Sequence, residues 1–388
     1  MNPITRLLHR KVPVARARPN VTPLFQCSSF LSDSDYFYTR KSNPNTEELE
    51  AALIDLEGCG HAIAVTTGMA AITMALRLLE PGDRLVANTL IYGCSHRLFA
   101  DFCAHYGIRL DVLDLTDPAA LRALAPDTRM VVFETPTNPL LLTVPIRAVA
   151  DAVHAAAPEA LVVVDNTWAT PLFQKPLDHG ADLCVYSATK YYSGHSDVMG
   201  GVVTTHRADL AEEIRRIRFY SGSILDPHSS WLLRRSLQTF ALRMRHHVDT
   251  FAGLAAHLRA HPVVRRVYVP EVDGRQLIGY GGILFLELDP ALEPAVGAFM
   301  DSLELFERGT SMASVVSSVA QPWSGSHLSM TDEEKRRAGI AKTLVRLCFG
   351  LEDPEDLKAD LTRAFDRLRS AAVPGPDPGR VPATEARP

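Results

Sequence analysis

The sequence predicts an α/β protein: a mostly parallel sheet buried on both faces, followed by a smaller α+β unit. Three observations lead there. From about residue 61 to 205, short Val- and Ile-rich runs alternate with helical stretches, the pattern of strands covered by helices on both sides. Near residue 228 the texture changes to long stretches with apolar residues at three- and four-residue steps. At 388 residues the chain is too long for one small core, so two packed domains are expected.

Taken in order, "AIAVTTG" reads as a strand leading into the helical "MAAITMALRLL". The strand candidates "RLVANT", "MVVFET", "LVVVDN", "LCVYSA" and "GGVVTT" come next. Such a sheet presents ligands in the loops just past the carboxyl ends of its strands. "SSWLLRRSLQTFALRMRHHVDTFAGLAAHLRAH" reads as one long helix. After it, "VRRVYVP", "GGILFLELD" and "LVRLCFGLE" read as strands, with helices at "EPAVGAFMDSLEL" and "PEDLKADLTRAFDRLRS". The expected division is an arm over 1–40, a large domain over 41–227 and a small one over 228–372. The tail 373–388, "VPGPDPGRVPATEARP", has little to bury and is expected to be disordered.

Composition narrows the function classes. With 46% hydrophobic and 22% charged residues the chain fits a globular protein, and no run of about 18 apolar residues exists to span a membrane. The net charge of -5 argues against a general nucleic-acid binder. Arg6, Arg10, Lys11, Arg16 and Arg18 make the amino terminus basic, but the apolar core of a secretory signal is missing. Cys27, Cys59, Cys94, Cys103, Cys184 and Cys348 are scattered without a C-x-x-C pair, so neither a zinc ribbon nor a disulfide framework is expected. A reduced, cytoplasmic setting fits, and His246 and His247 lack partners at metal-ligand spacing.

The chemistry gathers around "YSATKYYSGHSD", residues 186–197. Lys190 stands there between Ser187 and Thr189, company that a solvated surface lysine does not need. Asp165 closes "LVVVDN", where a strand delivers a carboxylate to a loop. In "TTGMAAI" a strand meets a helix, and Gly68 and Met69 can aim backbone N–H groups at an anion. Amine, acid, anion cradle and hydroxyls together are what pyridoxal phosphate needs: a lysine for its aldehyde, a carboxylate for its ring nitrogen, donors for its phosphate. Singly, each has a plain structural explanation; a strand-end Asp is usually a cap. A Rossmann cofactor fits worse, because "GCG" at 58–60 precedes its strand and lacks a third glycine.

The chain resembles the pyridoxal-phosphate-dependent Cys/Met metabolism enzymes, the family of cystathionine γ-synthase, cystathionine γ-lyase and methionine γ-lyase. "TRLLHR", "YTRKSNPN", "TTGMAAI", "IYGCSHRLF", "ETPTNPLL", "VVVDNTWATP", "YSATKYYSGHSD", "LRRSLQTFALRM" and "LVRLCFGLED" carry the resemblance from residue 5 to near 365. It implies an aspartate-aminotransferase-like fold of type I, with a mostly parallel seven-stranded sheet. It implies Lys190 as the Schiff-base lysine, Tyr92 stacked over the ring, Asn138 on the ring's phenolic oxygen and Asp165 on its nitrogen. Gly68, Met69, Ser187 and Thr189 would hold the phosphate. Tyr38 and Arg40 would reach the neighbouring subunit's cofactor, in a homotetramer built as a dimer of catalytic dimers.

Arg346 would grip the substrate carboxylate, although an apolar-flanked arginine can equally serve a structural ion pair. The implied reaction is γ-replacement or γ-elimination through a vinylglycine-type quinonoid intermediate, on an activated homoserine, a methionine- or cystathionine-like amino acid, or a sulfonium substrate. The alternative is a methionine γ-lyase-like C–S lyase releasing a thiol, 2-oxobutanoate and ammonia. Cys94 resembles the pocket cysteine of methionine γ-lyase, though a small buried hydrophobe would look the same. Thr310 precedes Ser311, which opens "SMASVVSS" where the family has another motif, and Gln321-Pro322 replaces its His-Pro. The cofactor side keeps the pattern and the substrate side departs from it.

Overall fold

A computed structural model describes residues 18–309, 312–328 and 330–372. Among them, seven strands form one sheet: β1 (His61–Val65), β2 (Arg84–Asn88), β3 (Arg109–Leu113), β4 (Thr128–Glu134), β5 (Leu161–Asp165), β6 (Leu183–Ser187) and β7 (Gly201–Thr205). Their spatial order is β1-β7-β6-β5-β4-β2-β3. All pairs are parallel except β7, which runs antiparallel to β1 and β6. β5 shows why the runs read as continuously apolar. Val163 enters the core under the helices Gly68–Leu76, Gly93–Tyr106 and Ala208–Ser221, while Val162 and Val164 enter the core under Ile146–Ala156. β3 has no counterpart among the sequence-read strands. It lies at the sheet edge and is half exposed, so "RLDVL" carries no apolar run.

Helix starts obey local chemistry. Asn43 caps Pro44–Glu57 by accepting the Asn45 N–H at 3.0 Å, with Pro44 in the first turn. Thr67 caps Gly68–Leu76 by accepting the Ala70 N–H at 3.0 Å.

The second sheet holds β8 (Val264–Tyr268), β9 (Ile283–Leu288), β10 (Glu307–Arg308), β11 (Ser318–Ala320) and β12 (Leu344–Cys348), in the order β10-β11-β12-β9-β8. Its core joins Leu284, Leu286, Val345 and Leu347 to the helices Phe240–Arg259 and Pro354–Ala372 through Leu254, Leu258, Leu361 and Phe365. A separate cluster spans both sheets, with Tyr186 of β6, Tyr191 and Tyr192 of the turn after it, and Phe285, Leu344 and Cys348 from the second sheet.

One expectation is corrected. The stretch 229–261 is two helices, Pro227–Leu237 and Phe240–Arg259, broken at Gln238 and Thr239. The Ser236 carbonyl there accepts from the Thr239 N–H (3.2 Å) and from Arg243 Nη2 (3.1 Å). Arg243 is buried and also donates to the Tyr191 and Tyr192 carbonyls at 2.8 and 3.4 Å, so the break places a guanidinium beneath the loop that carries Lys190. Gly194, at φ 68°, closes that loop where a Cβ would collide with the guanidinium. No helix of the described residues is long and apolar enough to cross a membrane.

Candidate active site

Three neighbouring strands end on polar residues: β4 on Glu134, β5 on Asp165 and β6 on Ser187. Glu134 and Asp165 are register partners. Thr167 ties two of these ends together: its hydroxyl donates to Asp165 Oδ1 at 2.6 Å and accepts the Ser187 N–H at 2.8 Å. The Thr167 N–H adds a second bond to Oδ1, at 3.0 Å. Oδ2 has no hydrogen-bond donor among the described residues. Burial raises the Asp165 carboxyl above its ordinary range, against the Thr167 hydrogen bonds.

Lys190 comes after β6 in a turn, its N–H bonded to the Ser187 carbonyl at 3.1 Å. Its side chain is half-buried, and its amine makes no hydrogen bond or ion pair among the described residues. Burial lowers its pKa, and the Arg346 guanidinium lowers it further. Arg346 sits in the middle of β12, 4% exposed, between Ala320 of β11 and Phe285 of β9. Lys190 and Arg346 thus come together from two different sheets.

Tyr92 begins the helix Gly93–Tyr106, with its N–H donated to Glu134 Oε2 at 2.9 Å. Its phenol is pushed up to about 12, by burial first and then by the neighbouring Cys94 thiol, while Arg346 works in the opposite sense. Cys94 is exposed. Asn138 is buried, and its Oδ1 has no hydrogen-bond partner among the described residues.

The helix Gly68–Leu76 points its amino terminus toward the same strand ends. Gly68 is required there, because a Cβ would come within 2.7 Å of the Ser187 Cβ. Met69 is the next residue of that first turn. The Thr189 hydroxyl is engaged with Gly200, accepting its N–H at 3.0 Å and donating to its carbonyl at 3.3 Å. Thr189 also lines a cavity of about 520 Å3 with Thr66, Thr67, Ser196, Asp197 and His228.

Tyr38 and Arg40 lie elsewhere in the chain: Arg40 lines a second cavity of about 620 Å3, and its guanidinium is 5.6 Å from the Tyr38 ring. The Arg40 guanidinium rests 4.4 Å over the Phe219 ring and donates to the Phe219 carbonyl at 3.1 Å. Neither residue bonds to a group of the Lys190 site. Thr310 and Ser311 lie outside the described residues.

Four residues near the site escaped the sequence reading. Glu134 stands at a strand end, the same signal that singled out Asp165. Thr167 lies two residues past Asp165, the spacing of a side chain that closes on its neighbour's backbone. Ser326 and His327 are joined by a 3.0 Å contact between Oγ and Nδ1. Burial takes the His327 imidazole down to about 4, and its Nε2 lies near the Asn138 backbone without a hydrogen bond of good geometry.

Comparison with known proteins decides the family. The family model for Cys/Met metabolism PLP-dependent enzymes matches residues 7–366. The chain belongs to that family. L-methionine gamma-lyase of Pseudomonas deceptionensis is 40% identical over 87% of this chain and 86% of its own. Cystathionine gamma synthase of Xanthomonas oryzae pv. oryzae, solved in complex with cystathionine, superposes with a TM-score of 0.86 at 39% identity, covering 90% of this chain and 93% of that one. Cystathionine gamma-lyase of Lactobacillus plantarum, complexed with L-serine, gives 0.87 at 33% identity over 95% of this chain and 100% of that one. The protein is therefore a pyridoxal-phosphate-dependent enzyme of fold type I. Its residues fit the cofactor: an amine without a partner, a carboxylate with Oδ2 unbonded, and a buried amide that a polar ring substituent would satisfy.

Proposed function

We propose that the enzyme carries out γ-replacement, or γ-elimination along the same route, on an amino acid with a leaving group at Cγ. The observation that carries this reading is the half-buried Lys190 amine, without an ion pair and close to Arg346. Desolvation beside a fixed cation favours the neutral amine, the form that attacks an aldehyde and later takes a proton. Bound at Lys190, pyridoxal phosphate supplies the aldehyde and an electron-withdrawing ring.

Asp165 Oδ2 would hold the ring nitrogen, and Asn138 the phenolic oxygen. Gly68, Met69, Ser187 and Thr189 form the phosphate side. Arg346 holds the substrate carboxylate with paired donors, so Cα is fixed within reach of Lys190. Lys190 then takes the Cα proton and carries it onward. Tyr92, protonated at neutral pH because its phenol lies near 12, faces the ring and donates to the departing group rather than accepting from it. Thr310 and Ser311 belong to the substrate side.

A second reading, a methionine γ-lyase-like C–S lyase, is favoured by the Cys94 thiol beside the Tyr92 hydroxyl. Incubation with L-methionine, cystathionine, O-acyl-homoserine and S-adenosylmethionine, with and without a thiol, separates the two. Product formed only with the thiol marks replacement; 2-oxo acid and ammonia without it mark the lyase. Absence of both with every substrate would remove the reading.

A homotetramer in the cytoplasm, a dimer of catalytic dimers, completes the proposal. Tyr38 and Arg40 would there serve the neighbouring subunit's cofactor, and the lack of any bond from them to their own chain's site among the described residues supports this. Mixed Arg40→Ala and Lys190→Ala subunits should then recover about a quarter of full activity, since about half the dimers are mixed and each has one intact site. No recovery in confirmed mixed dimers would confine each site to one subunit.

A further inference from the structure

β4 and β5 end side by side on carboxyl groups, Glu134 and Asp165. Only Asp165 has a part in the proposed reaction, yet Glu134 is the more deeply buried, at 2% exposed. A buried carboxyl needs donors or must stay uncharged. Glu134 finds one in the Tyr92 N–H, 2.9 Å from Oε2 and 42 residues away in sequence. The Trp168 side chain lies close by. Tyr92 is the capping residue of Gly93–Tyr106, and that helix start has no side-chain cap of its own. The Glu134 bond therefore gives the chain a side-chain anchor as it enters the helix.

We infer that Glu134 is a positioning residue: by accepting the Tyr92 N–H it sets where the Tyr92 ring stands in the site. The inference rests on the reading of Tyr92 as the residue that faces the cofactor ring. Burial, then the Asp165 charge, raises the Glu134 carboxyl well above its ordinary range. Charged or not, the Glu134 carboxyl keeps an oxygen that accepts the Tyr92 N–H. Gln keeps such an acceptor; Ala and Leu remove it.

The test uses parent, Glu134→Gln and Glu134→Ala holoenzymes. Borohydride reduction and then peptide mapping first locate the cofactor. If the parent does not carry it on Lys190, the site reading has failed rather than this inference. Induced circular dichroism of the bound cofactor then reports how its ring is surrounded, and kcat and KM are measured alongside. Glu134→Ala is expected to keep the cofactor on Lys190 with weakened dichroism. Its kcat should fall roughly 10- to 100-fold, the loss expected for one buried hydrogen bond, with KM within about threefold. Glu134→Gln should stay within about threefold of the parent in kcat. Glu134→Leu fills the space without an acceptor and carries the same expectation as Ala if the alanine variant is unstable. Parent-like dichroism and kcat in the variants without an acceptor would overturn the inference. So would a Gln variant as impaired as they are.

Discussion

The carboxyl ends of β4 to β6 and the segment between β10 and β12 meet around Lys190, and they are built differently. At the strand ends, side chains are set by hydrogen bonds across elements: Thr167 to Asp165 and Ser187, Glu134 to Tyr92, Thr189 to Gly200. The segment between β10 and β12 mixes bonds among its own residues with ties to the chain just past β12, where Ser317 donates to Glu352 and accepts the Gly350 N–H. Ser324 bonds Gln321 at 2.7 Å, Ser326 touches His327, and Trp323 lies against Lys335 and Lys342. The resemblance to the family is kept at "VVVDN" and "YSATK" and departs at "SMASVVSS" and Gln321-Pro322. On the proposed reading, cofactor chemistry belongs to the first region and substrate choice to the second.

The largest effect should come from the strand ends. Asp165→Asn removes the charge expected opposite the ring nitrogen, worth about 2–4 kcal/mol, or roughly 30- to 1,000-fold in turnover. Steady-state kinetics at saturating cofactor check it, and parent-like turnover would detach Asp165 from the chemistry.

The next effect lies beneath the same loop. Glu57 is buried against the Tyr192 hydroxyl, which donates to it at 3.1 Å, and burial raises its carboxyl from 4.5 to about 7. The folded pKa exceeds the unfolded one, so stability is fully present below about pH 4.5. It falls as pH rises toward 7, because the unfolded chain releases a proton that the folded chain keeps. Glu57→Gln should remove this loss: up to about 3 kcal/mol more stable at pH 8 and no gain at pH 4. Denaturant midpoints at the two pH values measure it.

Arg346→Lys tests the substrate side. A point charge replaces a paired fork, so KM should rise roughly tenfold while the cofactor spectrum stays unchanged. A changed spectrum with unchanged KM would place Arg346 in the first region instead of the second. The smallest effect is expected from Thr167→Val, which keeps the shape and loses the hydroxyl between Asp165 and Ser187. Equilibrium dialysis should show cofactor binding weakened about fivefold, because the hydroxyl reaches the cofactor only through the two groups it bonds.

Much of this contrast was legible in the sequence. Asp165, Ser187 and Lys190 could be read because parallel strands announce themselves as apolar runs, and the residues at the carboxyl end of a run sit at the ligand end of the sheet. Glu134 obeys the same rule, but its partner Tyr92 lies on another element, and no local spacing reveals that bond. The break at Gln238 and Thr239 was hidden for the same reason: Arg243 reaches carbonyls of the Lys190 loop, while the periodicity on either side reads straight through. β3 was missed because an edge strand needs no continuous apolar run.

The central claim is that Lys190 is where the cofactor attaches. Reducing the holoenzyme with borohydride, digesting it and mapping the modified peptide by mass spectrometry tests this directly. The expected result is the reduced cofactor on Lys190 alone, within "YSATKYYSGHSD". A yellow, active enzyme whose label falls on another lysine, or on none, would contradict it.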